Sequence, residues 1–91
     1  MRAKKVDTNQ SEIVEKLRRI GCSVFATHTL GNGFPHIVVG YRKVNYLFEI
    51  KDGAKVASRK KLTPDEVEFH KTWAGTVHVV ESFEDALKIL T

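Results

Sequence analysis

Gly33-Phe34-Pro35-His36-Ile37-Val38-Val39-Gly40-Tyr41-Arg42-Lys43-Val44-Asn45-Tyr46-Leu47-Phe48-Glu49-Ile50-Lys51 is two apolar runs separated by a turn. Residues 34–39 and 44–51 read as strands joined across residues 40–43, most simply as a hairpin. The second run closes on an acid and a lysine spaced i and i+2. Strand side chains alternate faces, so Glu49 and Lys51 point the same way. Charges at the end of an apolar strand are costly unless something pairs with them. Cross-strand partners in a hairpin keep a constant index sum, which is odd when the turn has an even number of residues. His36 then shares a face with Leu47 or Glu49, beside Lys51. Two groups on neighbouring strands can hold one divalent cation next to a fixed positive charge. The same spacing also reads as a buried Glu49–Lys51 ion pair, with His36 as a hydrogen-bonded strand residue.

The flanking sequence supplies the other elements. A helix is expected over about residues 8–20, with Asp7 and Gln10 as a capping-box-like start. Ile13, Val14, Leu17 and Ile20 form its apolar stripe, and Gly21 stops it. Residues 22–29 read as a strand and 30–33 as a turn. A basic loop runs from Asp52 to Lys61. The second helix has the clearest start: Thr63 as N-cap, Pro64 at N1 and Glu66 completing a T-x-x-E box. It is expected to reach Ala74, with Gly75 just past its end. Residues 76–80 read as a short strand. Ser82 caps a last helix with Phe83, Ala86, Leu87 and Leu90 inward. The order α-β-β-β-α-β-α predicts a small mixed β-sheet flanked by helices, an α/β (α+β) fold.

Composition sets the class. Ninety-one residues, 42% hydrophobic and 29% charged, make one globular domain over residues 1–91. No apolar run approaches a membrane span, and the N-terminus lacks the apolar region of a signal peptide, so a cytoplasmic location is expected. The single cysteine, Cys22, excludes an internal disulfide framework and reads as a small buried residue after the first helix. The net charge of +4 is uneven: residues 41–61 carry seven basic and two acidic side chains, whereas 62–91 carry two and six. The excess (Arg42, Lys43, Lys55, Arg59, Lys60 and Lys61, with Lys51) surrounds the Glu49 strand. It suits a grip on a polyanion and equally a solvated lysine-rich loop.

Four segments together resemble a known family. Asn9-Gln10-x-Glu12, Gly33-Phe34-Pro35-His36-Ile37-Val38-Val39-Gly40, Glu49-Ile50-Lys51-Asp52-Gly53 and Leu62-Thr63-Pro64-Asp65-Glu66 look like the small VRR-NUC nucleases of the PD-(D/E)xK superfamily. Many of those are phage-encoded, which would place the protein in a bacterial host cell, and some are Holliday-junction resolvases. The resemblance spans nearly the whole chain, in order. It implies a restriction-endonuclease-like core and metal-dependent cleavage of DNA at four-way junctions or flaps, as a homodimer. Glu49 and His36 would be metal ligands, joined by the Ile50 carbonyl, with Mg²⁺ or Mn²⁺ as the cofactor. Lys51 would be the catalytic lysine. Glu12 would be a helper acid, although its spacing to Lys16 also fits an i,i+4 surface pair. His28 would be within reach of a phosphate. Lys55, Arg59, Lys60, Lys61, Arg42 and Lys43 would contact the nucleic acid.

Two positions depart from the family pattern. His36 stands where the family has its metal-binding aspartate. Val67, which reads here as a core-facing helix residue, stands where the family often has a glutamine. Mg²⁺ prefers hard oxygen ligands, whereas imidazole suits Mn²⁺, Co²⁺, Ni²⁺ or Zn²⁺. The sequence therefore carries two leading expectations, a metal-dependent nuclease and a catalytically inactive, structure-selective DNA-binding module. A basic protein-binding adaptor is a third.

Overall fold

The computed structural model describes residues 9–52 and 61–91. They form a small mixed α+β unit. In chain order the elements are α1 (Gln10–Arg19), β1 (Ser23–Ala26), a 3-10 turn (His28–Leu30), β2 (Ile37–Tyr41), β3 (Val44–Ile50), α2 (Pro64–Thr72), β4 (Val77–Val80) and α3 (Phe83–Leu90). The four strands lie side by side in sequence order. The first three are antiparallel, and β4 runs parallel to β3. A parallel neighbour cannot be reached by a tight turn, so α2 lies in the crossover between them.

The β2–β3 register has the odd index sum expected of an even turn, with Ile37 opposite Phe48 and Tyr41 opposite Val44. The turn is shorter than residues 40–43. Gly40 and Tyr41 stay paired, and only Arg42 and Lys43 cross over, with φ of 52° and 68°. Positive φ at both centres is the type I′ turn, one of the two-residue turns that follow the right-handed twist of the strands, whatever residues stand there.

The strand expected over residues 22–29 stops at Ala26. In this register the next partners would include Pro35, which has no N–H to continue a ladder. Thr27 closes the strand instead, donating its N–H to the His36 carbonyl (2.7 Å) and its hydroxyl to the Pro35 carbonyl (2.8 Å). Phe34 and Pro35 likewise lie outside β2. The Phe34 ring packs edge-on against Phe69 at 5.3 Å.

Helix α1 ends as its sequence predicts, with Gly21 left-handed at φ 98°. Asp7, the expected partner in its cap, lies outside the described residues. At α2 both hydrogen bonds of the Thr63–Glu66 capping box form. That helix ends at Thr72, short of Ala74. Trp73 is extended and stacks on Phe69 at 5.0 Å. Gly75 is needed for space and not for a left-handed turn, because a Cβ there would lie 2.8 Å from the Trp73 indole nitrogen. Val67 is 50% exposed, so it does not face the core.

One face of the sheet carries the core. Val24, Ile37, Val39, Phe48, Ile50 and Val80 point to it, and α1 and α3 cover it with Ile13, Leu17, Ala86 and Leu90. Cys22 is buried at its margin, where burial pushes the thiol pKa up. No helix among the described residues is long and apolar enough to cross a membrane.

Non-glycine residues in the left-handed region each cost roughly 1–2 kcal/mol. Replacing Arg42-Lys43 by Asn-Gly should therefore raise the unfolding free energy by about 1 kcal/mol. Urea denaturation reads this directly. An unchanged midpoint would show that the Arg42 guanidinium, 5.2 Å from the Tyr41 ring centre, offsets the strain.

Candidate functional site

Four polar side chains are buried together where β2, β3 and α2 meet: His36, Glu49, Lys51 and Glu66. Each arrives for a local reason. The His36 N–H donates to the Phe48 carbonyl (3.0 Å), which extends the β2–β3 ladder one residue past the strand and sets His36 beside Glu49. Lys51 follows β3 and donates its N–H to Val80 of β4 (3.0 Å). Glu66 is the N3 residue of α2, and its capping role turns its carboxylate back towards the start of the helix. One Oε1 atom accepts both the Thr63 N–H and the Lys51 ammonium, each at 2.9 Å.

Two further residues hold the arrangement. Gly33 has φ 78°, and a Cβ on it would lie 2.1 Å from the Asp65 carbonyl oxygen. The loop that leads to His36 therefore sits directly on the first turn of α2, which brings Glu66 to Lys51. On the other side, the Asn9 amide donates to the carbonyls of Lys51 (3.0 Å) and Glu81 (2.9 Å), tying the ends of two parallel strands to the start of α1.

The His36–Glu49 contact is unusual. His36 Nδ1 lies 2.9 Å from the Ile50 N–H nitrogen and 2.8 Å from Glu49 Oε2. A neutral imidazole nitrogen has either one lone pair or one hydrogen. Accepting from Ile50 uses the lone pair and leaves nothing for the carboxylate. Donating to Glu49 would set an N–H against the Ile50 N–H. An oxygen with two lone pairs meets both demands when a cation lies between it and Glu49. Aspartate would supply one at the same place, since its Oδ1 and the histidine Nδ1 are both bonded to Cγ.

One ligand atom from each of His36, Glu49 and Glu66 lies within 4.8 Å of the other two. The donor set is thus one imidazole nitrogen and two carboxylate oxygens, a mixed set that suits Mn²⁺ or Zn²⁺ better than Mg²⁺. Lys51 stands on its rim, 4.0 Å from Glu49 Oε2. Ile50 meets the cluster through its N–H.

Other expected residues lie elsewhere. Glu12 is 67% exposed and paired with Lys16 at 3.0 Å, on the surface of α1. Helix periodicity explains this: Ile13 and Leu17 take the inward face. Arg42 and Lys43 form the hairpin tip, with the five residues of β2 and roughly 20 Å of strand between them and His36. His28 is half-buried in the 3-10 turn and not on a strand. Lys61 is exposed just before α2, and Lys55, Arg59 and Lys60 lie outside the described residues. The side chain of α2 that reaches the site is Glu66, one residue before Val67. Its capping signal was plain in the sequence, but its second contact, to Lys51, depends on the Gly33 approach.

No family model matches the chain, and no curated protein or solved structure matches it.

Removing one partner of a buried ion pair costs about 3–5 kcal/mol, because the other charge stays buried. Glu66→Ala should lose about that much in urea unfolding, while Glu66→Gln, which can still accept from Thr63, should lose less. Equal losses would mean that the charge, and not the cap, is what Glu66 contributes. Gly33→Ala should destabilise by a comparable amount, since either the loop or α2 must shift.

Proposed function

We propose that this chain is a metal-dependent nuclease of the VRR-NUC type that cleaves phosphodiester bonds in branched DNA. The single observation that carries the reading is the buried His36–Glu49–Glu66 donor set with Lys51 on its rim. The mixed sheet, with α1 and α3 on one face and the α2 crossover between β3 and β4, supports a restriction-endonuclease-like core.

His36 and Glu49 would hold the cation, with Glu66 or the Ile50 carbonyl completing the set. The bound cation would polarise a phosphate oxygen and lower the pKa of a bound water. The chain's own contribution is positional. Glu66 holds the Lys51 ammonium in one place, where it can offset charge building up on the phosphate. Asn9 fixes the backbone on which Lys51 stands. Lys61 and the neighbouring basic residues of the sequence would grip the backbone of the nucleic acid, which positions it without reading bases.

A second reading is favoured by the His36 contact. With Nδ1 held by Ile50 and the side chain only 3% exposed, the centre suits a proton or an internal contact as well as a metal. The protein would then be a structure-selective DNA-binding module with an idle centre.

One experiment separates them: single-turnover cleavage of a four-way junction by the parent, His36→Asp and His36→Asp/Glu49→Ala, with Mg²⁺ and with Mn²⁺. The parent should cleave faster in Mn²⁺ than in Mg²⁺. His36→Asp should raise the Mg²⁺ rate by at least about tenfold, the order expected from restoring one charged ligand, and the double variant should lose it. Thermal unfolding gives a second readout, in which His36→Asp should gain more stability from Mg²⁺ than the parent does. If none of the three cleaves or responds to metal while salt-sensitive junction binding persists, the binding-module reading stands instead.

The basic segment gives a separate expectation. Neutralising Lys55, Arg59, Lys60 and Lys61 together should lower the slope of log affinity against log salt by about one per lost phosphate contact. An unchanged slope would remove this segment from the interface.

A further inference from the structure

Beyond Glu66, α2 carries Phe69 and leads into Trp73, at the three- and four-residue steps that keep side chains on one side of a helix. The Trp73 indole lies almost parallel on the Phe69 ring, with centres 5.0 Å apart and planes 17° from each other. Phe34 meets both rings edge-on, 5.3 Å from Phe69 and 6.4 Å from Trp73. It therefore stands beside the stack, since a ring on the far face of the indole would lie twice the stacking distance from Phe69. A side chain at position 75 would strike the indole nitrogen, so Gly75 closes in on that edge. The indole is held on one face, at one side and along one edge. It still keeps 44% of its surface exposed, and the face turned away from Phe69 is what remains.

The three rings stand outside the hydrophobic core, and Trp73 is the one tryptophan of the chain. Its exposed part is on the order of 100 Å². A protein partner would cover roughly 800 Å². A flat aromatic face of this size matches a single planar heterocycle instead. Its position adds to that. Phe34 lies two residues before His36, and Trp73 lies two helical turns past Glu66, so the segments that bring in His36 and Glu66 also carry the stack. From Glu66 to Trp73 the chain rises roughly 10 Å. Three stacked bases of one strand rise about as far, at roughly 3.4 Å each. Lys71 is exposed in the last turn of α2 and Lys61 just before its start, and both suit phosphates along that path.

We infer that the outer face of Trp73 is a stacking site for one unpaired nucleobase of the strand whose phosphate lies at the cluster. This rests on the nucleic-acid reading above and adds a preference to it. A lysine on a phosphate does not distinguish a free strand from a duplex. An aromatic face does, because a base that is already unpaired reaches it without being pulled from a stack. It takes any base, since each has a π-face.

The single tryptophan serves as its own probe. The full chain, with a chelator present so that no strand is cut, is titrated with single-stranded oligothymidylate and with an abasic oligomer of equal length and charge. Indole fluorescence should be quenched by the first and not by the second. Anisotropy of end-labelled strands should show the thymidylate bound at least about fivefold more tightly, the low end of what one stacked base contributes. Trp73→Ala should lower the thymidylate affinity to that of the abasic strand and leave the abasic affinity unchanged. Trp73→Phe keeps a smaller ring and should keep part of the difference. Circular dichroism with urea unfolding checks that each variant is folded. Affinity and emission that ignore the bases overturn the inference. So does a base preference that survives Trp73→Ala in a folded protein, or a failure of both strands to bind. Cleavage enters none of these measurements. A chain that is quenched by bases but never cuts keeps the stacking site and loses the nuclease reading, and one that cuts but ignores the bases does the reverse.

Discussion

The register of the β2–β3 ladder is the constraint on which the rest depends. A slip of one residue exchanges the two faces of a strand. It would drive Glu49 into the apolar layer beneath α1 and α3 and push Phe48 out to the opposite face. An ionised carboxylate there costs several kcal/mol even after relaxation. The strain of two left-handed residues at the hairpin tip, roughly 1–2 kcal/mol each, is smaller. The tight Arg42-Lys43 turn is therefore tolerated: adding one residue to it would relieve the backbone but change the parity of every pair above it.

The cluster is organised by that register without being what holds the fold together. A buried ion pair such as Lys51–Glu66 roughly breaks even, since desolvation consumes most of the attraction. Burial of Phe48, Ile50, Leu17 and their neighbours supplies the stability. The polar groups are instead fixed by backbone contacts from outside the pair. Gly33 lets the loop press on α2, Thr63 fixes Glu66, Ile50 fixes His36 and Asn9 fixes the Lys51 carbonyl. A centre built this way can change its side-chain chemistry at position 36 or 66 while its frame stays put.

How much of this was legible depended on whether the signal was local. The Thr63-Pro64-x-Glu66 start of α2 and the Gly21 stop of α1 are contained in a few residues, and both form. The parity of the hairpin followed from alternation alone and brought His36 to Glu49. The turn itself was misplaced because Arg42 and Lys43 carry no turn signature; pairing on either side forces their conformation. The end of β1 depended on Pro35, a residue of a different segment. Glu66 read only as a cap and Val67 as core-facing, because only the approach of Gly33 to Asp65 shows which residue of the first helical turn faces Lys51. Gly75 looked like a helix stop and proved to be a space left for an indole ring.

Asn9 ties the ends of β3 and β4 to the start of α1 through bonds that span 42 and 72 residues of chain. Contacts of that separation close late, because the entropy of the intervening chain must be spent before they form. The hairpin alone can bring His36 up to Glu49. The peptide that carries Lys51 is clamped only after β4 has paired and Glu81 has come into place. The last clamp on the polar cluster thus depends on a strand that lies far along the chain from the hairpin that carries most of it.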